Sequence, residues 1–366
     1  MSGTIRIFHG PQHPGVTGNM SLELELDGET IVAATTHVGY LHRGFEKLIE
    51  RRTVLQAFTI VCRICVPEPD PNEENFARGI EELAGLEISE RAAYIRVMIL
   101  ELARLQAHLL WLAGQGASIG HELVPQWAVG DRDYILDLFE EITGGRVYHM
   151  YIYPGGVKRD LPEALPEHLN RVLEALEQRL PAYDRIFFDN AAVRKRLQGV
   201  GVVDRQEALR NGYAGPVLRG CGIARDLRRD APYLVYDQLQ FEVPTADGCD
   251  AYARALVRRA EMDQSIRLLR QAIARLPSGE IQCRLPKHRK FQIPRGETYV
   301  QSESARGAFG YYMAADGSEY LRRLQVHGPS MVHAFTLLER LLIGAQLSDV
   351  ALIMNSLGIC PPEIER

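Results

Sequence analysis

The sequence predicts an α+β fold that is mainly helical. Three observations predict it: apolar and acidic residues alternate over residues 21–27, helical apolar spacing dominates residues 41–285, and residues 286–326 are rich in Gly, Pro and Tyr. With 366 residues, 46% of them hydrophobic, the chain can bury a large core. We predict one domain, 1–366, made of a β region (1–40), a helical bundle (41–285), a β or irregular excursion (286–330) and a C-terminal helix with its tail (331–366).

The N-terminal β region is predicted from a hairpin pattern. Leucines at positions 22, 24 and 26 alternate with glutamates at 23 and 25, and the turn pair Asp27-Gly28 precedes the apolar residues 31–34. Period-two alternation on both sides of such a turn is typical of a β-hairpin.

The first long helix is predicted to begin at Ser89, a good N-cap residue, and to run to about Leu112. Its apolar residues cover nearly every face, which indicates a helix in the middle of a bundle. Residues 97–112 are the most apolar stretch, but they contain Glu101 and Arg104 and fall short of the roughly 20 apolar residues of a membrane span. Membrane association is therefore expected only through a partner.

Four further helices are predicted. Asp131 is expected to cap a helix that ends at Gly144-Gly145, and Pro181 is expected to kink or divide a helix over about 163–188. The other two cover about 249–276 and 331–357.

Composition excludes several classes of protein. The net charge of −5 and the absence of a basic stripe with aromatic residues argue against nucleic-acid binding. The N-terminus lacks an apolar run behind a basic start, so we expect no targeting peptide and a cytoplasmic location. Six cysteines without a secretory signal indicate reduced thiols, and Cys221, Cys249 and Cys283 are expected to be ordinary packing residues.

Cys62 and Cys65 form a C-x-x-C pair, which can chelate one metal or form one strained disulfide. With Cys360 they resemble most of a metal site built from both ends of the chain. The position three residues after Cys360 is Glu363, so a site of four thiolates cannot close in the usual way. We therefore predict no metal, and the thiols are either a relic or serve another chemistry.

Two N-terminal segments carry candidate polar groups. His13 lies between Gln12 and Pro14 in a rigid loop, where it either presents its imidazole to a ligand or bonds the local backbone. Arg43 precedes Gly44, and it is either a solvated charge or stabilises a nearby anion such as an iron–sulfur cluster.

Two later strings are unusual. Residues 155–158, Gly-Gly-Val-Lys, lack a phosphate-loop frame and are expected to form a tight turn. Glu303 and Arg306 stand three residues apart before Gly307, as a structural pair or as an interface anchor beside a cleft. The sequence contains no G-x-S-x-G, H-E-x-x-H or strand-linked G-x-G-x-x-G motif, which disfavours hydrolase, metalloprotease and dinucleotide-fold functions.

Taken together, these strings resemble a known family. His-Gly-Pro-Gln-His-Pro at 9–14, Gly-Tyr-Leu-His-Arg-Gly-Phe-Glu-Lys at 39–47, the strings at 155–158 and 303–312, and the ending at 356–366 are similar, in order, to the catalytic D subunit of NADH-quinone oxidoreductase, respiratory complex I. That family is itself similar to the large subunits of membrane-bound nickel–iron hydrogenases, whose first C-x-x-C pair matches Cys62 and Cys65. The first cysteine of their second pair matches Cys360.

The resemblance implies a quinone site with two substitutions. The family's loop histidine that lines the quinone headgroup site is His13 here. The family's headgroup tyrosine, three residues after an arginine, falls at Val66, and the acidic partner of the histidine falls at Ser118. Because Val66 has no polar group, quinone protonation is expected to depend on His13 and water.

The resemblance also implies a surface that faces a cluster. Arg43 matches an arginine beside the terminal iron–sulfur cluster of the neighbouring small subunit, and the family's second arginine falls at Arg63. A cluster-facing histidine of some relatives falls at Tyr148, next to His149.

The implied function is to pass electrons from a [4Fe-4S] cluster in a small iron–sulfur subunit to quinone, coupled to ion translocation. The chain alone is expected to bind no cofactor. Its expected partners are the small subunit, other peripheral-arm subunits and a membrane-arm subunit that forms the quinone entry, at the cytoplasmic side of the inner membrane. Two alternatives stay open: thiol or sulfur reduction by Cys62 and Cys65, as in hydrogenase-related sulfane reductases, and a non-catalytic scaffold. Hydrogen chemistry at nickel is least favoured because Glu363 would replace a thiolate.

Overall fold

The computed structural model describes residues 3–16, 18–283 and 291–366 and has the predicted α+β, mainly helical fold. Within these described ranges, eight strands are arranged in three small antiparallel sheets, β1-β2-β3, β4-β5 and β6-β7-β8. The strands are Ile5–His9 (β1), Ser21–Asp27 (β2), Thr30–His37 (β3), Ile152–Tyr153 (β4), Gly156–Val157 (β5), Gly296–Ser304 (β6), Gly307–Ala315 (β7) and Leu321–His327 (β8).

The helices lie between and after these sheets. Those before the third sheet are Phe45–Ile49 (α1), Val54–Val61 (α2), Pro69–Ala84 (α3), Glu90–Ser118 (α4), Leu123–Thr143 (α5), Leu165–Tyr183 (α6), Ala191–Leu197 (α7), Arg205–Arg210 (α8), Gly215–Arg219 (α9), Leu227–Asp230 (α10) and Ala251–Ala274 (α11). Those after it are Pro329–Val332 (α12), Glu339–Leu342 (α13), Val350–Leu357 (α14) and Pro361–Ile364 (α15). Short 3-10 turns occur at Tyr236–Gln238 and Leu347–Asp349.

The predicted N-terminal hairpin is confirmed as β2 and β3. The leucines of β2 at positions 22, 24 and 26 are buried and pack with apolar residues of α14, among them Ile353 and Met354. Strand β1 was not predicted as an element of its own; it pairs with β2 as an edge strand and leaves Ile5 and Phe8 exposed. The hairpin thus holds the C-terminal helices against the N-terminal sheet.

The central helix α4 begins as predicted and ends later. Ser89 Oγ accepts a hydrogen bond from the Ala92 backbone N–H at 3.1 Å, and the helix continues to Ser118 instead of Leu112. By length and composition α4 would suit a membrane span, yet 83% of its apolar 18-residue stretch is buried inside the protein. It is therefore the core helix of the bundle, as its all-round apolar surface predicts.

The predicted cap at Asp131 is wrong. The helix α5 begins at Leu123, and Asp131 lies inside it with a buried carboxylate that accepts a hydrogen bond from Tyr183 Oη at 2.6 Å. Its second partner is Arg179 Nε, at 3.1 Å. Aspartate is common both at helix N-caps and in buried ion pairs. The residue type alone therefore led to a wrong prediction of where the helix begins. The predicted end at Gly144 is confirmed.

Of the helices predicted over 249–276 and 331–357, the first is confirmed and the second is wrong. The helix over 249–276 is confirmed as α11, capped by Asp250, whose carboxylate accepts from the Ala253 N–H at 2.8 Å. The single helix over 331–357 is wrong: it is divided into α12, a π-helical turn at His333–Leu338, α13 and α14. Gly344, with a φ of 82°, takes the left-handed conformation between α13 and α14, which ends the helix there.

Pro181 lies within α6, two residues before its end, and a π-helical turn follows at Asp184–Phe188. The segment predicted as one helix with a break at Pro181 is thus divided into α6 and a π-helical turn, and the change begins three residues after the proline. The predicted turn at residues 155–158 is confirmed in part: residues 154–155 form the turn between β4 and β5, and residues 156–157 are β5 itself.

The predicted excursion is a three-stranded sheet, and its residues 286–290 lie outside the described residues. Helix α3 packs on this sheet, where Asn75 Nδ2 donates to the Phe309 carbonyl at 3.0 Å. The turn between β6 and β7 is thereby held deep in the protein.

A buried ionic network connects α4 to α10. Arg228 donates to Asp226 at 2.7 Å and to Glu101 at 3.0 Å, and all three side chains are fully buried. Burial opposes ionisation of Asp226, but Arg228 and Arg219 outweigh it and lower its pKa to about 2. The network stabilises the centre of the fold while its carboxylates are charged.

We expect Asp226→Asn to lower the free energy of unfolding by about 3 kcal/mol or more, because it leaves buried guanidinium charge uncompensated. Since the folded pKa of Asp226 lies below its ordinary value of 3.8, its contribution is present above about pH 4 and is lost as the pH falls towards 2. Thermal unfolding as a function of pH tests this. Asp133→Asn, at a side chain that is 62% exposed, is the control, and equal loss in both variants would contradict the argument.

Candidate functional site

Five buried side chains meet where both ends of the chain converge. Cys65, Cys360, Arg306, Glu68 and Glu363 form what we call the thiol–arginine group, and each is less than a tenth exposed. The prediction that the C-terminus returns to the first thiols is confirmed by the contact between the Cys65 and Cys360 sulfurs, at 3.5 Å.

Three irregular segments deliver these side chains. Cys65 and Glu68 lie between α2 and α3, Cys360 precedes α15, and Arg306 lies in the turn between β6 and β7. Arg104 of α4 fixes that turn by donating to the Ser304 carbonyl at 3.0 Å and the Glu303 carbonyl at 2.6 Å.

The guanidinium of Arg306 is the centre of the group. Its Nη2 lies 2.8 Å from Cys65 Sγ, 3.0 Å from the Glu363 carboxylate and 3.2 Å from the Glu68 carboxylate. Glu363 also accepts from the Ser330 N–H at 2.9 Å, which fixes its orientation. One cation therefore joins two carboxylates and a sulfur in a buried place.

The group favours one ionised thiol. The hydrogen bond with Cys65 and the nearby charge of Arg306 lower the pKa of Cys360, while burial raises the pKa of Cys65. Because the two sulfurs are in contact, they share the remaining proton when one of them ionises. A buried, activated thiolate next to a second thiol is suited to thiol–disulfide exchange.

These donors fit a resident metal ion poorly. Ligand atoms of Cys65, Cys360 and Glu363 lie within 4.8 Å of one another, which is close enough for a shared ion. The Arg306 guanidinium, however, already contacts Cys65 and Glu363 and supplies the positive charge there. The carboxylate of Glu363 serves as the partner of an arginine.

Cys62 does not join this group, which corrects the expectation of a three-cysteine site. Its sulfur accepts a hydrogen bond from Arg63 Nη1 at 3.2 Å and lies 3.8 Å from the Thr59 carbonyl. Burial raises its pKa to about 12, so the thiol stays protonated. The C-x-x-C pair thus points its two sulfurs to different surroundings.

Arg43, Arg63 and Tyr148 lie together in a patch that we call the arginine patch. Arg43 is exposed and its Nη2 donates to the Arg63 carbonyl at 3.3 Å, while the Arg63 guanidinium stacks 5.0 Å from the centre of the Tyr148 ring. Arg63 also contacts the Thr59 carbonyl and Cys62. Two guanidinium groups in one patch suit a neighbouring anionic centre.

His149, next to Tyr148 in the chain, is buried and makes its contacts outside the arginine patch. Its ring is 3% exposed, stacks on Phe139 at 3.9 Å, and Nδ1 contacts Asp70 Oδ1 at 2.7 Å. Burial opposes protonation of the ring, but Asp70 outweighs it and raises the pKa of His149. The expectation that His149 faces a partner's cluster therefore gains no support from its position.

His13 lies on an exposed turn outside the thiol–arginine group. Its Nδ1 accepts from the Gly15 N–H at 3.1 Å, and its ring stacks on His9 with 4.1 Å between centroids. The local backbone bond predicted as the alternative is thus present. The quinone contact stays a prediction.

The two positions that depart from the family pattern bring no ionisable group to the site. Val66 is 41% exposed, and Ser118 Oγ donates to the Gly114 carbonyl at 2.8 Å and accepts from Asn355 Nδ2 at 2.6 Å. Ser118 has no charge to supply to an imidazole.

Glu303 and Arg306 do not pair with each other. Glu303 accepts from Arg219 Nη1 at 2.8 Å, and Arg306 points to the opposite side, into the thiol–arginine group. The spacing of three residues would align the two side chains on a helix, but they lie at a strand end and a hairpin turn.

A cavity of about 310 Å³ adjoins Arg306. Its walls are mostly apolar and come from α4, α11 and the segments that carry Glu68, Arg306 and Gly358. The cavity's residues are Pro67, Glu68, Ala107, His108, Leu110, Trp111, Ala113, Gly114, Arg258, Ala305, Arg306, Asn355, Gly358 and Ile359. An apolar pocket with a few convergent polar groups is the usual form of a small-molecule site.

His108 and Arg258 were not predicted to belong to a functional site, yet both line the cavity. Each is a polar residue on a long buried helix, His108 on α4 and Arg258 on α11. In the sequence, each could be recognised only as a His or Arg within a predicted helix. Such residues are also typical of structural ion pairs, so the pattern does not by itself indicate a functional site.

Comparisons with known proteins agree with the resemblance. A family-wide profile described as "Respiratory-chain NADH dehydrogenase, 49 Kd subunit" matches residues 118–290 and 285–366. The D subunit of the NADH-quinone oxidoreductase of Thermosipho melanesiensis is 42% identical over 366 residues, 100% of each chain. The D subunit of the F(420)H(2) dehydrogenase of Methanosarcina mazei is 40% identical over 100% of this chain and 98% of that relative.

The fold comparison points the same way. A chain in the structure of the membrane-bound sulfane sulfur reductase, an archaeal respiratory membrane complex, superposes with a TM-score of 0.96 and 41% identity, covering 99% of this chain and 98% of that chain. The chain therefore belongs to the family of the respiratory-chain NADH dehydrogenase 49 kDa subunit.

Proposed function

We propose that this chain receives electrons from an iron–sulfur cluster of a partner subunit and passes them to an acceptor bound in the cavity, within a membrane-bound oxidoreductase. The observation that carries the proposal is the path of residues 62–68. Arg63 belongs to the arginine patch, Cys65 to the thiol–arginine group, and Glu68 lines the cavity. One short segment thereby connects a cationic surface to a buried apolar pocket.

The electron entry is assigned to the arginine patch. A reduced [4Fe-4S] cluster with its thiolates is anionic, and guanidinium groups at its border stabilise that charge. The donor cluster would lie in a small iron–sulfur subunit that docks over Arg43 and Tyr148. This chain would supply the surface that faces the cluster and the positive charge of its arginines, and the cluster ligands would come from the partner.

Quinone is one candidate acceptor. Relatives named as the D subunit of NADH-quinone oxidoreductase support it, as does the retained His13 loop. Quinone takes up two electrons and two protons to give quinol. His13 is not among the residues that line the cavity, so its proton would reach a quinone bound there through water. The absence of polar chemistry at Val66 weakens this candidate.

A sulfur compound is the second candidate, and the Cys65–Cys360 contact favours it. The Cys360 thiolate attacks a trisulfide R–S–S–S–R, forms a mixed disulfide with one R–S unit and releases R–S–S⁻, and Cys65 then displaces R–SH. Two electrons from the cluster and two protons from water restore both thiols, so R–S–S–S–R, two electrons and two protons give R–S–SH and R–SH.

Further partners follow from the same proposal. Other peripheral-arm subunits would deliver electrons to the cluster, and a membrane-arm subunit would provide the acceptor's entry and the coupled ion translocation. The chain would then be peripheral, on the cytoplasmic side of the cell membrane, with no span of its own.

The acceptor is tested in the purified complex with its terminal cluster reduced. A short-chain quinone or dimethyl trisulfide is added, and reoxidation of the cluster is followed by electron paramagnetic resonance. We expect at least one of the two compounds to reoxidise the cluster at the rate of turnover. Failure of both, with an intact complex, would favour the scaffold alternative.

A further inference from the structure

Arg258 is a buried cation that no carboxylate of the described residues contacts. Its side chain is 1% exposed, and among the described residues no carboxylate oxygen lies within 4.0 Å of its guanidinium. Its contacts are a hydrogen bond from Nη1 to the Arg254 carbonyl at 3.2 Å and the face of Trp111, 4.6 Å from the ring centre. Burying an uncompensated charge in this way is costly, so its position calls for a counter-charge.

The unused donors of Arg258 and Arg306 belong to the same cavity. Arg258 Nη2 and Arg306 Nε are both buried and have no hydrogen-bond partner within the described part of the chain, and both residues line the cavity. Charge-assisted bonds to an anion would satisfy both donors.

The carboxylates around the cavity are distributed unevenly between its two arginines. Glu68 and Glu363 both contact Arg306, whereas no carboxylate oxygen of the described residues lies within 4.0 Å of the Arg258 guanidinium. His108 adds no charge, because burial lowers its pKa; its Nε2 bonds the Glu261 carboxylate at 2.8 Å, which leaves Nδ1 as an acceptor. The unpaired guanidinium of Arg258 therefore favours an anion bound next to it.

Gly358 provides the room for such a group. A Cβ atom at this position would lie 3.0 Å from Arg258 Nη2 and 3.4 Å from Arg306 Cγ. The glycine, with a φ of 69°, thus keeps open a gap that separates the two arginines. Leu110 and Trp111 line the same cavity and can pack against an apolar remainder.

We propose that the cavity holds a compact monoanion between Arg258 and Arg306, of the thiolate or hydropersulfide type. The proposal deepens the function given above and rests on it for the identity of the anion. In the trisulfide reaction this site would hold R–S–S⁻ as it leaves, next to the Cys65–Cys360 pair. Binding of a monoanion does not itself depend on turnover.

The direct test measures binding of radiolabelled thiocyanate to the intact complex by equilibrium dialysis. Thiocyanate is a soft monoanion small enough for the cavity, and acetonitrile is a neutral probe of similar shape. We expect saturable binding of one thiocyanate per chain and none of acetonitrile, and Arg258→Met should weaken thiocyanate binding by about tenfold or more. Unchanged binding by Arg258→Met, or no saturable binding to the wild type, overturns the proposal.

Arg259→Met is the matched control, since Arg259 is next to Arg258 on α11 but pairs with Asp184 and Asp263 outside the cavity. It should bind thiocyanate like the wild type. Thermal unfolding separates a site from a structural role: Arg258→Met should not lower the midpoint, because an apolar side chain of similar length removes an uncompensated buried charge. A marked drop would show that Arg258 serves the fold instead.

Two further outcomes separate this inference from the function. If thiocyanate binds as expected but neither acceptor reoxidises the cluster, the anion site stands and the electron-transfer function fails. If an acceptor reoxidises the cluster while thiocyanate neither binds nor competes with it, the function stands and the anion site fails.

Discussion

Cys65→Ser should lower the reduction of dimethyl trisulfide by the complex by about a hundredfold or more, because serine cannot resolve the mixed disulfide that forms on Cys360. The sulfur of Cys65 contacts both Arg306 and Cys360, so the change removes the second thiol while keeping a side chain of similar size. Steady-state rates with a saturating upstream donor measure the effect.

The controls separate three accounts of the chain. Cys221→Ser alters another buried thiol, 3.5 Å from the Val217 carbonyl, and should leave the rate unchanged. With quinone as acceptor, His13→Ala should be the more damaging change and Cys65→Ser should have little effect. If neither His13→Ala nor Cys65→Ser slows any acceptor while the complex assembles, the chain is a scaffold.

Arg306→Gln should damage both stability and activity. The buried carboxylates of Glu68 and Glu363 lose their shared cation, so we expect the free energy of unfolding to fall by about 3 to 5 kcal/mol. The thiolate also loses a neighbouring positive charge. Since that charge helps to lower the pKa of Cys360, the activity at neutral pH should fall and the rising limb of the pH–rate profile should move to higher pH.

A second substitution distinguishes the two effects. In Arg306→Gln combined with Glu363→Gln, one of the stranded charges is removed, so thermal stability should partly return while the activity should not. Arg306→Lys keeps the charge and should preserve more activity than Arg306→Gln. Full activity in the double variant would show that Arg306 acts only on folding.

The sequence predicted those elements whose signals are local. The cap at Ser89, the alternating leucines of β2 and the apolar surface of α4 each depend on neighbouring residues, and each prediction is confirmed. Asp131 and the broken helix after residue 331 were wrong because tertiary partners and a left-handed glycine, Gly344, decided them.

The site was predictable only in part. The resemblance indicated that Cys65 and Cys360 approach each other, but spacing within C-x-x-C could not show that Cys62 turns towards Arg63 instead. The central role of Arg306 depends on contacts 241 residues apart in sequence with Cys65, which no local pattern encodes. Arg258 was not predicted for the same reason, because only the folded structure shows that no carboxylate of the described residues contacts it.

The central claim is that the acceptor receives its electrons inside the cavity. Ala113 of α4 lines the cavity, whereas Ala117 on the same helix is exposed outside it. The measurement is the rate at which the acceptor that works best on the wild-type complex reoxidises the reduced terminal cluster in Ala113→Leu and Ala117→Leu. We predict that Ala113→Leu slows reoxidation by about tenfold or more without changing reduction of the cluster by the upstream donor, and that Ala117→Leu changes neither. Reoxidation at the wild-type rate in a folded Ala113→Leu complex would contradict the claim.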